Sequence, residues 1–299
     1  MAKKIKSVTL FKMDAVFVNG PENPPEFEKY KFSFTEFDQN GNVILEEKYT
    51  PDESLTEKQK YTYDEKGNLI EEKNFLDTGE LADHRTYEHD EEGRIVKEFR
   101  HYSDETKDTI TYKRDSMGNV VEKSTIDFED DLEAKDIITY KNGKILSHKR
   151  YEYDELVMDE SYEYTKDGKL SRTLKWTADD ENARFENNFD EHGNLVKSMK
   201  YNEKEQLIQR IITSYNSENK PIRIEEESVN GKSIMEAEYD ERGNAIKQTE
   251  KDGKGNIMNQ VNRIFNEDNQ VTEAEVHIDF HGRSVNQYYK LKYEYTYFD

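Results

Sequence analysis

Tyr61-Thr62-Tyr63-Asp64-Glu65-Lys66-Gly67-Asn68-Leu69-Ile70 places an aromatic residue before Asp, then two polar residues, Gly, Asn and two aliphatics. The phrase returns at Phe37-Asp38 to Gly41-Asn42, Phe189-Asp190 to Gly193-Asn194 and Tyr239-Asp240 to Gly243-Asn244. The aromatic and β-branched residues on either side favour strands, and the Asp-x-x-Gly between them reads as a turn. Asp at the first turn position accepts hydrogen bonds from backbone further along. Gly three places later takes the left-handed conformation that closes a hairpin with a bulge. Where that Gly is missing, Asn219 and Asn269 stand in, and Asn is the non-glycine residue best suited to positive φ. Where Asp is missing, Asn216 and Asn266 replace it.

The turn residues Gly41, Gly67, Gly93, Gly118, Gly143, Gly168, Gly193, Asn219, Gly243 and Asn269 stand 24 to 26 residues apart. Asp38, Asp64, Asp90, Asp115, Asp190 and Asp240 open six of these turns. A fixed period of this size marks a repeat architecture. Eight positions after the turn residue a ring recurs, at Tyr49, Phe75, His101, Tyr151, Trp176, Tyr201 and His277. A second, looser turn follows near Thr78-Gly79, Ser103-Asp104, Asp154-Glu155, Asn230-Gly231, Lys254-Gly255 and His281-Gly282. Each unit therefore reads strand, tight turn, strand, loose turn. In one variant, Tyr140-Lys141-Asn142-Gly143, the spacing predicts a two-residue type I′ hairpin. In another, Thr165-Lys166-Asp167-Gly168, the acid has moved next to the Gly.

The expected fold is all-β: a single elongated antiparallel meander of about ten hairpin repeats, with about twenty strands in an open curved or spiralling sheet. Residues 1–29 carry strand-like material and the rigid Pro21-Glu22-Asn23-Pro24-Pro25, and read as an N-terminal cap. The repeats run over 30–292, and 293–299 read as a closing strand with Tyr293, Tyr295 and Tyr297 on one face. One continuous domain is expected.

Apolar residues make up 33% and charged residues 37%, a poor balance for a compact globule. Aromatic residues at 12%, set at regular intervals, offset this, because a repeat array needs only a thin core between neighbours. The net charge of −22 would repel a phosphate backbone and an anionic bilayer, so neither nucleic acid nor an anionic membrane is an expected partner and no membrane insertion is expected. The same charge keeps a long sheet soluble and would attract a basic protein. Without Cys there is neither a disulfide framework nor thiolate chemistry. No run of 18 apolar residues exists to span a membrane as a helix. Met1-Ala2-Lys3-Lys4 leads into no apolar segment of the signal-peptide kind, so a cytoplasmic location is expected, or export if a leader has been removed.

The aromatic-Asp-x-x-Gly-Asn/Arg phrase at this period resembles the tyrosine-aspartate (YD) repeats of the Rhs and teneurin families. Literal Tyr-Asp occurs at Tyr63-Asp64, Tyr153-Asp154 and Tyr239-Asp240, with Phe189-Asp190 a near match and Gly93-Arg94 the Gly-Arg form. The resemblance covers roughly residues 30 to 299 and implies a long β-ribbon that spirals. Large members of those families enclose a C-terminal domain. This chain shows no toxin domain or Asp-Pro-x-Gly cleavage setting, so an open array without activity of its own is expected.

Four constellations bear on possible chemistry. His277, Asp279 and His281 alternate and so could share a strand face as metal ligands. Against this, His277 fills a ring slot, His281 falls in a loose turn, and no cofactor is expected. The turn aspartates lack the spacing of a calcium loop. Gly253 and Gly255 precede no helix that could hold phosphate. With 66 acids, any two could be drawn as a glycosidase pair, so that signal has no specificity. No unique catalytic constellation emerges, and an enzyme is not expected. Tyr61, Tyr63, Tyr151, Tyr153, Tyr162, Tyr164 and Trp176 are the candidate partner-contact residues, since tyrosine gives large contact area at low entropy cost. The expected role is a binding or scaffold protein, with an unidentified basic protein the favoured partner. The alternatives are carbohydrate binding on the rings and self-assembly through open edge strands.

Overall fold

The computed structural model describes residues 3–16, 24–178, 183–279 and 287–299. These hold 22 strands and no helix. All 22 strands belong to one sheet, and every described pairing between them is antiparallel.

The expected open edges are absent. β1 (Ile5–Val16) pairs on one side with β2 (Glu26–Phe37) and on the other with the last strand, β22 (Gln287–Tyr297). The second register runs from Ile5 opposite Tyr297 to Asp14 opposite Tyr289. The elongated, open or spiralling sheet is therefore corrected to a 22-stranded antiparallel barrel closed by its own terminal strands. Closure satisfies two rows of backbone donors and acceptors that an open meander leaves unpaired. It also removes the free edges through which self-assembly was expected.

Two compact units can be distinguished. The first comprises Met1–Thr86 and Glu236–Asp299 and contains the seam between β1 and β22. There the Ser7 and Thr296 hydroxyls lie 2.6 Å apart, and the Phe298 amide donates to the Lys4 carbonyl. Tyr30, Ala274 and Val276 are its buried apolar residues. The second unit, Tyr87–Met235, buries Ile110, Ala134, Ala183 and Met199. No large side chain is fully buried among the described residues, as expected of one thin layer built from so polar a chain.

The expected turn chemistry is present in atomic detail. At Asp64, the carbonyl accepts from Gly67 N at 3.0 Å, while the Asp64 amide donates to Asn68 O. Asp64 Oδ1 accepts from the amides of Lys66 and Asn68, and Oδ2 accepts from Asn68 Nδ2. The Asn of the phrase thus completes the cage around its Asp. The same arrangement recurs at Asp38, Asp115, Asp190 and Asp240. Gly67 sits at φ 87°, and the stand-ins Asn219 and Asn269 sit at 61° and 60°. At the aromatic before the turn the register slips by one residue, for example between Thr62 and Tyr63 and between Glu163 and Tyr164.

The second turns are not looser. Tyr102 to Thr106 and Asn202 to Gln206 close with the same pair of backbone bonds, and Asn202 Oδ1 accepts from Lys204 and Gln206 amides. The left-handed position is held by Gly79 and Gly255 in two of them and by Glu53, Glu105, Asp130 or Glu205 in place of Gly in others. Both ends of the hairpins therefore use one turn geometry. Two-residue turns interrupt it at Asn142-Gly143, as the spacing predicted, and at Tyr153-Asp154, where both residues have positive φ.

Candidate binding edge

Directly opposed residues of an antiparallel pair share a face, and this sorts the candidate side chains. In the second unit, Asp108, Ile110 and Tyr112 of β8 (Lys107–Arg114) share one face, as do Ala134, Asp136, Ile138 and Tyr140 of β10 (Leu132–Lys141). His148 and Arg150 of β11 (Lys144–Glu152) lie opposite Ile138 and Asp136, and Glu160 and Tyr162 of β12 (Glu155–Tyr164) continue the row. Glu98, Asp108 and Asp136 on this sheltered face are buried, yet each carboxylate meets a polar side chain. Asp136 has His148 Nε2 at 2.8 Å and Arg150 Nη1 at 3.4 Å, Glu98 accepts from the Tyr112 hydroxyl, and Asp108 accepts from Tyr102. Pairing of this kind is the condition for burying charge. Burial, with Glu98 beside it, pushes the Tyr112 hydroxyl up to about 12.

The candidate tyrosines do not form one platform. Tyr63 donates its hydroxyl to the Val43 carbonyl at 2.9 Å, and Tyr164 donates to Ile145 O at 2.8 Å. Tyr140, Tyr215 and Tyr295 make the same bond to Val120, Leu195 and Val271. Each lashes its strand to the backbone of the preceding hairpin. Tyr61 donates to Glu46 and Tyr162 to Glu160, and burial followed by these carboxylates raises both hydroxyls' pKa. These four tyrosines are half-buried parts of the sheet.

Tyr151 lies opposite Lys135, and Trp176 opposite Asp159, on the other face from Tyr162 and Tyr164. Tyr153 is in neither row. It occupies the turn after β11 and is 71% exposed.

Of the candidate metal ligands, His277 and Asp279 lie among the described residues. His277 stacks on Tyr288 with ring centroids 4.1 Å apart and an interplanar angle of 13°. The Asp279 amide donates to the Met258 carbonyl, and His281 lies outside the described residues. Among the described residues no group of three or more His, Cys, Asp or Glu could hold a metal ion. The turn carboxylates, candidates for calcium, are occupied by the donors of their own cages.

What the structure does gather is an apolar and acidic edge at the second-turn end of the hairpins. In the second unit, Phe128 is 58% exposed, Val229 81%, and Leu132, Leu156 and Leu207 are also exposed. Asp127, Glu129, Asp130 and Asp131 surround Phe128 in its loop, and Asp154 and Glu155 follow Tyr153. The first-turn tips at Asp90, Asp115 and Asp190 are polar Asp cages, with Met117 the large apolar side chain exposed among them. Two concavities open along the apolar edge. One, of about 230 Å³, is lined by Leu132, Ala134, Ile137, Tyr151, Tyr153 and Asp154. The other, of about 400 Å³, is lined by Leu207, Ile208, Arg210, Glu227 and Val229, with Arg210 and Glu227 paired at 2.6 Å. Sequence reasoning missed this edge, although a signal existed. An aliphatic residue directly follows second turns at Leu55, Leu81, Leu132, Leu207 and Ile257, in phase with the repeat.

A family described only as an uncharacterised protein matches residues 27–122. No curated protein matches the chain. Among solved structures, the chain is similar to TcdB2-TccC3-Cdc42 at 12% identity and a TM-score of 0.24, covering 82% of this chain and 17% of that one. It is likewise similar to TcdB2-TccC3 without its hypervariable C-terminal region, at 13% identity and a TM-score of 0.23, again over 82% and 17%. A porin-like protein from Bacteroides uniformis matches 99% of this chain and 98% of its own, at 9% identity and a TM-score of 0.31. The chain thus spans about a sixth of the length of the TcdB2-TccC3 chains. Similarity at this level assigns no activity.

Proposed function

We propose that the chain is a non-catalytic binding protein whose second-turn edge, in the unit Tyr87–Met235, receives a cationic protein partner. The observation that carries this reading is the placement of Phe128, Tyr153 and Val229 at exposed turn tips, the first two within acidic loops. A polar surface that concentrates large apolar side chains at one edge favours contact with another macromolecule. The acids around them would steer a basic partner and raise its rate of association. Tyr61, Tyr63, Tyr162 and Tyr164 are committed to hydrogen bonds within the sheet, which favours a protein partner over a sugar stacked on a tyrosine row. The ten in-phase turns, with Asn or Arg after the turn residue in several, support reading the array as a divergent member of the YD-repeat type.

The test is fluorescence anisotropy with a labelled peptide of alternating Lys and Leu, against a matched Glu and Leu peptide. The Lys peptide should bind, and its affinity should fall as salt rises from about 50 mM to about 300 mM. The variant Phe128→Ser/Tyr153→Ser/Val229→Ser should lose at least about tenfold in affinity, roughly 1.4 kcal/mol. Equal binding by wild type and variant, or preference for the Glu peptide, overturns the reading. Binding of a neutral oligosaccharide that does not depend on salt would favour the carbohydrate alternative instead.

A further inference from the structure

We propose that the two concavities of the second unit are equivalent anchor subsites for a single extended segment of the cationic partner. This deepens the edge reading and rests on it. Each concavity occupies the same place in its repeat. Leu132 and Leu207 each open the strand that follows a second turn, and they are 75 residues, or three periods, apart. The opposite walls are Tyr151 and Tyr153 in one case and Glu227 and Val229 in the other. These stand eight and ten positions after the turn residues Gly143 and Asn219. The notch is therefore a product of the repeat, formed twice where the local residues are apolar.

The occupant follows from chemistry and spacing. Leu132, Ile137 and Tyr151 in the first notch, and Leu207, Ile208 and Val229 in the second, present carbon to a guest and suit an aliphatic or aromatic side chain. The first notch adjoins the acidic loop Asp127–Asp131, so lysine or arginine belongs beside that anchor, whereas beside the second Glu205 already holds Arg184 at 2.7 Å and leaves Glu203 to meet a cation. From the strand of Leu132 to that of Leu207 is six strands, about 29 Å along the sheet at about 4.8 Å per strand. An extended chain rises about 3.3 Å per residue, so the two anchors should be about nine residues apart. A tethered second anchor binds at a high effective concentration, and for this reason two modest notches can act as one good site.

Lysine-rich peptides on the full chain test this. One carries two leucines about nine residues apart, two carry a single leucine, and one sets the two leucines about four residues apart. The peptide with the wide spacing should bind at least about tenfold more tightly than the other three. Tyr153→Ser, at an exposed turn tip, should abolish that advantage without changing the circular dichroism spectrum, while single-leucine binding survives at the second notch. Salt-dependent binding that is equal for all four peptides overturns the paired-anchor proposal and leaves the edge reading standing. Binding of none of them overturns both. A dimer in light scattering that Tyr153→Ser dissociates overturns the proposal in favour of a second copy of this chain.

Discussion

Tyr164→Phe removes one hydroxyl and leaves the ring in place. The lost bond is the 2.8 Å donation to the Ile145 carbonyl, on a half-buried side chain. A net intramolecular hydrogen bond is worth about 1 kcal/mol. Unfolding entropy of about 2.1 cal/mol/K per residue gives about 0.3 kcal/mol/K for a unit on the order of 150 residues and about 0.6 for the whole chain. The midpoint should therefore fall by about 3 °C if the unit Tyr87–Met235 unfolds by itself, and by about 1.6 °C if the chain unfolds as one. Calorimetry of wild type and variant reads this directly, with Tyr153→Phe as the control because that ring stands in solvent. Changing Tyr63, Tyr140, Tyr164, Tyr215 and Tyr295 together should cost about 5 kcal/mol if the sites are independent. That is comparable with the entire stability of an ordinary domain, about 5–15 kcal/mol. A Tyr164→Phe transition that coincides with that of Tyr153→Phe would refute the reasoning. It would mean that water serves the Ile145 carbonyl as well as tyrosine does, and that the repeated lashing contributes nothing.

Three further outcomes follow from the same geometry. Glu105→Gly should raise stability by about 0.5–1 kcal/mol in denaturant titration by relieving a left-handed glutamate at φ 70°, and Gly193→Ala, at φ 85° with open space around it, should lower stability by a similar amount. The caged carboxylates of Asp38, Asp115, Asp190 and Asp240 are held below their ordinary value of 3.8, first by the Asn side chain of the cage. Depressed carboxylates stabilise the fold above the unfolded value, so stability followed by circular dichroism should begin to fall as pH drops through about 4 and continue below it. At the other extreme, the sheltered Tyr61, Tyr112 and Tyr162 are raised, Tyr112 to about 12, chiefly by burial. Their stabilisation is complete below pH 10 and is lost as pH rises from 10 toward 12, so tyrosinate absorbance and unfolding should appear together in that window. Lastly, deleting residues 287–299 removes β22 and frees edges on β1 and β21 (Val271–Ile278). The truncated chain should grow in size with concentration in light scattering, and a monomer at all concentrations would contradict the role of that strand in closure.

What the amino-acid order determined alone was local. Asp64, Gly67 and Asn68 interact within five residues, so turn type, strand alternation and the period of about 25 residues could be read from the repeated phrase. The second turns read as looser in the sequence, because Glu105 and Glu205 occupy a conformation that composition assigns to Gly. Tertiary structure decided three other matters. It closed the sheet, because Ile5–Val16 and Gln287–Tyr297 carry no shared phrase and meet only after the curvature of twenty intervening strands has brought them together. It sorted the tyrosines, because the one-residue register slips at Tyr63 and Tyr164 and the direction of the pleat set which ring is sheltered and which faces out. Finally, it gathered the binding edge. Phe128, Tyr153 and Val229 are far apart in sequence, and only the stacking of hairpins places their turns at the same end.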